Sequence, residues 1–169
     1  MTMRGRPNDA EIRRLIGALR GSDLRIAAAE SCTGGQLAAV FAGDADLGPN
    51  LERGYVVYSV DAKCDMLGVP RAAAEQDEGV SPQVADAMAK GALERSLADI
   101  GVAITGFCGP QQEDEEVGLV YVATASKAGT LVEEHHFGDV GRAAVLESAV
   151  GVALGMLAEA VTALRGDAH

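Results

Sequence analysis

Ser31, Cys32 and Thr33 can each act as a nucleophile or a hydrogen-bonding partner, and they sit between an apolar run and a glycine pair. The stretch is R-I-A-A-A-E-S-C-T-G-G-Q, Arg25 to Gln36. A short strand that ends in hydroxyls and glycines and turns into a helix leaves free backbone N–H groups beside small side chains. That suits an anion, or a nucleophile next to an oxyanion hole. Ser31 reads either as the N-cap of the following helix, a role Thr33 could share, or as a nucleophile at a strand end; local spacing favours the cap. Cys32 reads as a thiolate activated by a helix start or as a small buried hydrophobe. Gly34, Gly35, Gly106 and Gly109 either let a ligand approach the backbone or permit tight turns.

A nucleophilic serine needs a base. His135 and His136 are adjacent on a predicted strand and face opposite sides, which is poor geometry for a shared metal or a common partner, and His169 is terminal. The remaining candidate is a lysine whose pKa is lowered by burial. Lys63 follows the strand end at Tyr58-Ser59, whereas Lys90 and Lys127 belong to a solvent-facing helix and a hairpin. Taken alone, Lys63 also reads as an ordinary exposed lysine on a short helix.

Composition excludes several classes. With 169 residues, 48% of them hydrophobic, the chain reads as one domain over 1–169. Aromatics are 4% and tryptophan is absent, so the core must come from Ala, Val, Leu and Gly. A net charge of −11 without a Lys/Arg run opposes a nucleic-acid partner and favours a small soluble substrate. Three cysteines without C-x-x-C spacing oppose a disulfide framework and a zinc site, and fit a reducing cytoplasm. No G-x-G-x-x-G or P-loop motif supports a nucleotide cofactor. The N-terminus lacks an apolar core of signal-peptide length. The apolar stretch Ala143 to Leu164 is interrupted by Glu147, Ser148 and Glu159, and reads as a buried core helix, not a membrane span.

The elements that position these residues follow from periodicity. Asn8 and Glu11 form a capping-box-like start to a helix carrying Ile12, Leu15, Ile16 and Leu19, stopped by Gly21. Arg25 to Glu30 is a strand, followed by a helix with Leu37, Val40 and Phe41. Leu51 to Ser59 is a strand, followed by a short helix ending at Gly68. Ser81-Pro82 starts a helix reaching about Leu97. Ile100 to Thr105 is a buried strand that exits into G-F-C-G-P and the acidic Q-Q-E-D-E-E. Val117 to Ser126 and Leu131 to Phe137 flank a Lys127-to-Thr130 turn, and Arg142 to Leu164 is a long closing helix in which Gly151 and Gly155 mark a close helix–sheet contact. The pattern predicts a three-layer α/β/α sandwich with a mixed, mostly parallel sheet.

The motif A-E-S-C-T-G-G at Ala29 to Gly35 resembles the signature of the CinA C-terminal domain family, whose members include nicotinamide-nucleotide amidases. Further matches come in the family's order: R-G-Y-V-V-Y-S-V-D-A-K from Arg53, L-G-V from Leu67, G-V-S-P-Q-V-A-D-A-M-A from Gly79, I-T-G-F-C-G-P from Ile104 and V-G-L-V-Y from Val117. The resemblance implies a three-layer α/β/α fold and a metal-independent, cofactor-free hydrolysis of the carboxamide of nicotinamide mononucleotide. By position, Ser31 is then the nucleophile, Lys63 its general base, and Tyr58 a hydroxyl that assists proton transfer or positions Lys63. Amides around Thr33, Gly34 and Gly35 would hold the oxyanion, with Thr105, Gly106 and Gly109 on the nucleotide side and Arg142 as a cationic contact. A homo-oligomer is an expected partner.

Departures from the family pattern bear on the substrate. A glycine-rich, Lys-Pro-containing loop is replaced by Q-Q-E-D-E-E at 111–116, Leu146 stands where a second arginine is usual, and Val60-Asp61 replaces Asn-Glu. Acids near a phosphate site would repel it. The resulting expectation is a Ser-Lys amidohydrolase with less phosphate dependence. The rivals are a non-catalytic, diverged ligand-binding domain and a thiol enzyme using Cys32 or Cys108.

Overall fold

Helix α1 (Asp9–Leu19) leads to β1 (Ile26–Glu30), α2 (Gln36–Ala42), β2 (Leu51–Val56), α3 (Val60–Leu67), α4 (Arg71–Glu75), α5 (Pro82–Glu94), β3 (Ile100–Gly106), β4 (Leu119–Ser126), β5 (Gly129–His136) and α6 (Arg142–Gly166). This computed structural model describes residues 5–166; His169 and the first four residues of the N-terminal segment read above for an export signal lie outside them. The strands form one five-stranded sheet in the order β2-β1-β3-β4-β5. β1 pairs parallel with β2 and β3, and β4 pairs antiparallel with β3 and β5. Four strands therefore share one direction, which is the mixed, mostly parallel sheet expected.

Alternation along the strands builds two unequal faces. Ile26, Ala28, Ile100, Val102, Ile104, Val120 and Val122 face α1, α2 and α6. Ala27, Ala29, Ala103, Ala123 and Ala125 face α3, α4 and α5. The small face lets helices come close: a side chain at Gly101 would collide with the Ala89 carbonyl on α5, and one at Gly91 with the Leu67 carbonyl of α3. The layer that carries Lys63 is thus pressed against β3, the neighbour of the strand that leads to Ser31.

Several boundaries differ from the sequence reading. α4 has no counterpart in it. β5 begins at Gly129, paired with Ser126, so the hairpin loop is the two residues Lys127 and Ala128. Asn8 does not cap α1 through its side chain: it adopts a left-handed conformation, and its amide donates to the Glu147 carbonyl at 3.0 Å. Gly151 on α6 faces that Asn8 side chain and Gly155 faces Arg14, so this glycine pair serves a helix–helix contact with α1 and not a helix–sheet one. α6 is long and apolar enough to cross a membrane, yet Leu154, Leu157 and Val161 are fully buried in the core.

The largest correction concerns the start of α2. Neither Ser31 nor Thr33 caps it; Gly35, at φ 102°, occupies the N-cap without a side-chain bond. The acceptor is Glu30, which is 1% exposed. Its carboxylate takes hydrogen bonds from Leu37 N–H at 2.8 Å, Ala38 N–H at 3.0 Å and Thr33 Oγ1 at 2.7 Å. A buried carboxylate is tolerated only when so satisfied, and here it meets orphan amides at the helix's positive end. Glu30→Ala should therefore cost about 3 kcal/mol of unfolding free energy, and Thr33→Val about 1 kcal/mol, as read by urea denaturation.

Candidate functional site

The parallel strands β1, β2 and β3 end at the same edge of the sheet, where crevices in α/β proteins form. With Glu30 serving α2, the turn Ser31 to Gly35 leaves Ser31 Oγ free to face the other layer. Its own amide donates to the Ile104 carbonyl at 3.0 Å, which fixes the turn against β3. From the opposite side, α3 is started by Ser59, whose Oγ accepts from Ala62 N–H at 3.0 Å. One turn into that helix, Lys63 projects inward and is only 2% exposed.

Lys63 Nζ and Ser31 Oγ are 3.1 Å apart. The ammonium form donates to Oγ; the neutral form can accept the hydroxyl proton. Burial pushes the Lys63 pKa down, partly offset by Cys32 and Cys64 nearby. Among the described residues no carboxylate bridges to this amine, so desolvation shifts it toward the neutral form. A buried lysine in reach of a hydroxyl at a strand end has the geometry of a nucleophile and its base.

These two residues open onto a cavity of about 230 Å³, whose wall also includes Tyr58, Cys32, Cys108, Gly106, Gly109 and Arg142. The structure brings those sequence-predicted residues together, but it disperses the others. Thr33 is buried on Glu30, and Thr105 Oγ1 donates to the Gly79 carbonyl at 2.9 Å, behind the wall. Gly34 and Gly35, both at positive φ, shape the turn without lining the cavity. Tyr58 is 62% exposed, and its hydroxyl accepts from Arg142 Nη2 at 3.0 Å, not from Lys63. Arg142 also donates to the Gly109 carbonyl at 2.6 Å, so the guanidinium ties the β3 exit to the β2 exit across the mouth.

The turn amides are divided in their use. Gly34 N–H donates to the Ser31 carbonyl and Gln36 N–H to that of Thr33, while the Cys32 and Thr33 amides make no backbone hydrogen bond among the described residues. Of the charged wall residues, Glu78 escaped the sequence reading, and Glu115 was marked there only as part of the acidic loop. Burial and the adjoining Glu78 carboxyl raise the Glu115 pKa. Glu115 lies in the acidic loop noted in the sequence, but nothing local marks Glu78 as its neighbour. Glu30 was also missed, although one charged residue closing a run of four apolar ones was its signal.

A larger cavity, of about 660 Å³, lies at the opposite end of the sheet near Ser22, Asp99 and Arg165. Its Ser22 Oγ is occupied by Leu24 N–H, within its own turn. His135 pairs with Glu133, and His136 lies between Glu116 and Glu134, away from Ser31. Among the described residues no group of three or more His, Cys, Asp or Glu side chains is arranged to hold a metal.

The family model for the CinA C-terminal domain matches residues 9–161. A putative competence-damage inducible protein of Caldicellulosiruptor bescii is 41% identical over 115 residues, 67% of this chain and 28% of that protein. A CinA-like protein of Geobacter sulfurreducens is 39% identical over 131 residues, 76% of this chain and 31% of that protein. The chain thus spans less than a third of the length of these curated relatives. Among solved structures, the competence/damage inducible protein CihA from Agrobacterium tumefaciens superposes with a TM-score of 0.85 at 38% identity, covering 95% of this chain and 99% of that one. A CinA superfamily protein from Escherichia coli gives 0.77 at 35% identity, covering 90% and 87%.

The burial of Lys63 sets a pH dependence of stability. Its folded pKa lies below the ordinary 10.5, so the unfolded state binds the proton more tightly and folding gains as pH rises between those values. Lys63→Met removes the buried amine. The unfolding free energy of the native chain, measured relative to Lys63→Met, should be lowest at neutral pH and climb toward pH 10.5; a falling difference would contradict a desolvated lysine.

Proposed function

The chain belongs to the CinA C-terminal domain family, and on that premise we propose that it is an amidohydrolase in which Ser31 is the nucleophile and Lys63 the general base. The observation that carries this reading is the 3.1 Å contact between a buried lysine amine and a serine hydroxyl at the edge of a cavity. A non-catalytic domain has no need to desolvate a lysine against a serine.

The reaction proceeds by acyl transfer. Neutral Lys63 takes the Ser31 proton as Oγ bonds to the carboxamide carbon. The amides of Cys32 and Thr33, which follow Ser31 directly and make no backbone hydrogen bond, are the proposed donors to the developing oxyanion, each worth about 3 kcal/mol in such sites. The protonated lysine then gives its proton to the leaving nitrogen, the C–N bond breaks and ammonia departs. A water molecule, deprotonated by Lys63, attacks the ester and releases a carboxylate, restoring Ser31. No step calls for a metal.

The substrate proposed is nicotinamide mononucleotide or a related amide with weaker dependence on phosphate. Arg142 is the one guanidinium in the wall, and two of its donors are already occupied; Glu78 and Glu115 face the same cavity. A phosphate there meets one cation and two carboxyl groups, while a positively charged pyridinium ring meets a favourable field. Tyr58, held by Arg142, acts at the mouth as a positioning group for that arginine.

Ammonia release by the purified protein is the direct assay. Ser31→Ala and Lys63→Ala should each lower kcat by about a thousandfold, and unchanged rates in both would overturn the mechanism. The native rate should rise with pH as Lys63 loses its proton, at a pKa below 10.5. Tyr58→Phe should change KM less than tenfold with kcat nearly intact; a loss of about a hundredfold in kcat would instead make Tyr58 a proton carrier. Removing the phosphate from nicotinamide mononucleotide should cost less than about tenfold in kcat/KM.

A further inference from the structure

Beside Ser31 and Lys63, the cavity wall contains two thiols. Cys32 follows Ser31 at the exit of β1, and Cys108 lies in the loop leaving β3, the adjacent parallel strand. The Ser31 amide on the Ile104 carbonyl sets the two exits side by side. Both side chains are buried, at 9% and 3% exposure, in one packed cluster, and each thiol is the neighbour that most perturbs the other's pKa. The third cysteine, Cys64, lies on α3 and is not part of this wall. A lone buried cysteine is usually a small apolar filler; two in one cavity wall, at the exits of adjacent strands, are also a candidate dithiol.

We infer that Cys32 and Cys108 are a redox-active pair that hydrogen peroxide converts to an intramolecular disulfide, shutting the adjacent Ser31 site. Cys108 is the attacking sulfur: the neighbouring Cys32 thiol and the Arg142 guanidinium in the same wall hold its pKa below the ordinary value, while proximity to Cys108 and burial push Cys32 well above it. The Cys108 thiolate attacks the peroxide, a S–O bond forms, the O–O bond breaks, and a proton joins the departing oxygen as water. Sulfur is thereby oxidised to a sulfenic acid. The Cys32 sulfur then attacks it, the S–S bond forms, the S–O bond breaks, and hydroxide leaves with the Cys32 proton as a second water. One peroxide is reduced to two waters as two thiols become one disulfide.

The consequence for Ser31 is geometric. A disulfide requires sulfurs about 2.05 Å apart, closer than two unbonded thiols, so oxidation draws the turn carrying Cys32 and the loop carrying Cys108 together. That turn holds Ser31 and the amides proposed for the oxyanion. The activity arm of this inference rests on the proposed amidase reading; the disulfide itself does not.

Peptide mapping tests the pair directly, because trypsin separates the three cysteines onto residues 26–53, 64–71 and 96–127. The full chain is treated with hydrogen peroxide, alkylated with iodoacetamide and digested without reductant. The expected product is peptide 26–53 joined to 96–127, lighter than their sum by two hydrogens and separated by dithiothreitol, with Cys64 alkylated. Ammonia release should fall by roughly tenfold or more on oxidation and return on reduction. In Cys108→Ala the ratio of treated to untreated rate should stay near one, each protein being compared with itself. Alkylation of both Cys32 and Cys108 after peroxide, separate unlinked sulfinic acids, or a bridge to Cys64 would overturn the dithiol. A linked peptide without a change of rate would overturn the shut-off. If the untreated protein releases no ammonia from any amide, the amidase reading fails while the mapping still decides the disulfide.

Discussion

The carboxylate of Glu30 is the interaction on which the site depends. Buried at the end of β1, it is stable there only because three donors converge on it: two orphan amides of α2 and the Thr33 hydroxyl. In meeting them it ties strand, turn and helix into one unit. It also relieves Ser31 of capping. A serine engaged with a helix amide would have its lone pairs directed into α2; freed from that, Ser31 faces Lys63.

The second constraint is the thickness of the layer behind the sheet. Alanines and glycines on that face let α5 lie close, and Gly91 lets α3 lie close to α5. Lys63 is carried inward on α3 until its stem packs against Gly79, where a Cβ would stand 3.3 Å from the lysine Cε. Gly79 is in turn held by Thr105 at the end of β3. Thr105 thus supports the lysine from behind. A wider side chain on this face would lift the helix and with it the amine, since tightly packed interiors have little room to yield.

Charge decides what the cavity suits. The acidic loop places Glu115 beside Glu78, and Arg142 bridges the exits of β2 and β3 with donors already committed. In this chain the Ser31–Lys63 contact therefore lies behind an acidic mouth. The same wall contains Cys32 and Cys108, so amide chemistry and thiol chemistry would share one confined space in which a displacement of the turn reaches both.

By itself the sequence determined the order of the elements apart from α4, and the local chemistry of most segments: the continuous apolar run of Ile100 to Thr105, Ser81-Pro82 starting α5, and the S-C-T-G-G turn after an apolar strand. These depend on neighbours within a few residues, so spacing reveals them. The motifs also carried the likeness that paired Ser31 with Lys63 and Tyr58. Only the tertiary structure decided that Glu30 and not Ser31 caps α2, that Tyr58 serves Arg142, that Thr33 and Thr105 are supports behind the wall, and that Glu78 and Cys108 stand at the cavity. Each of those depends on which strand exits lie side by side and how closely two helices approach, and such distances are set by packing between segments far apart in the chain.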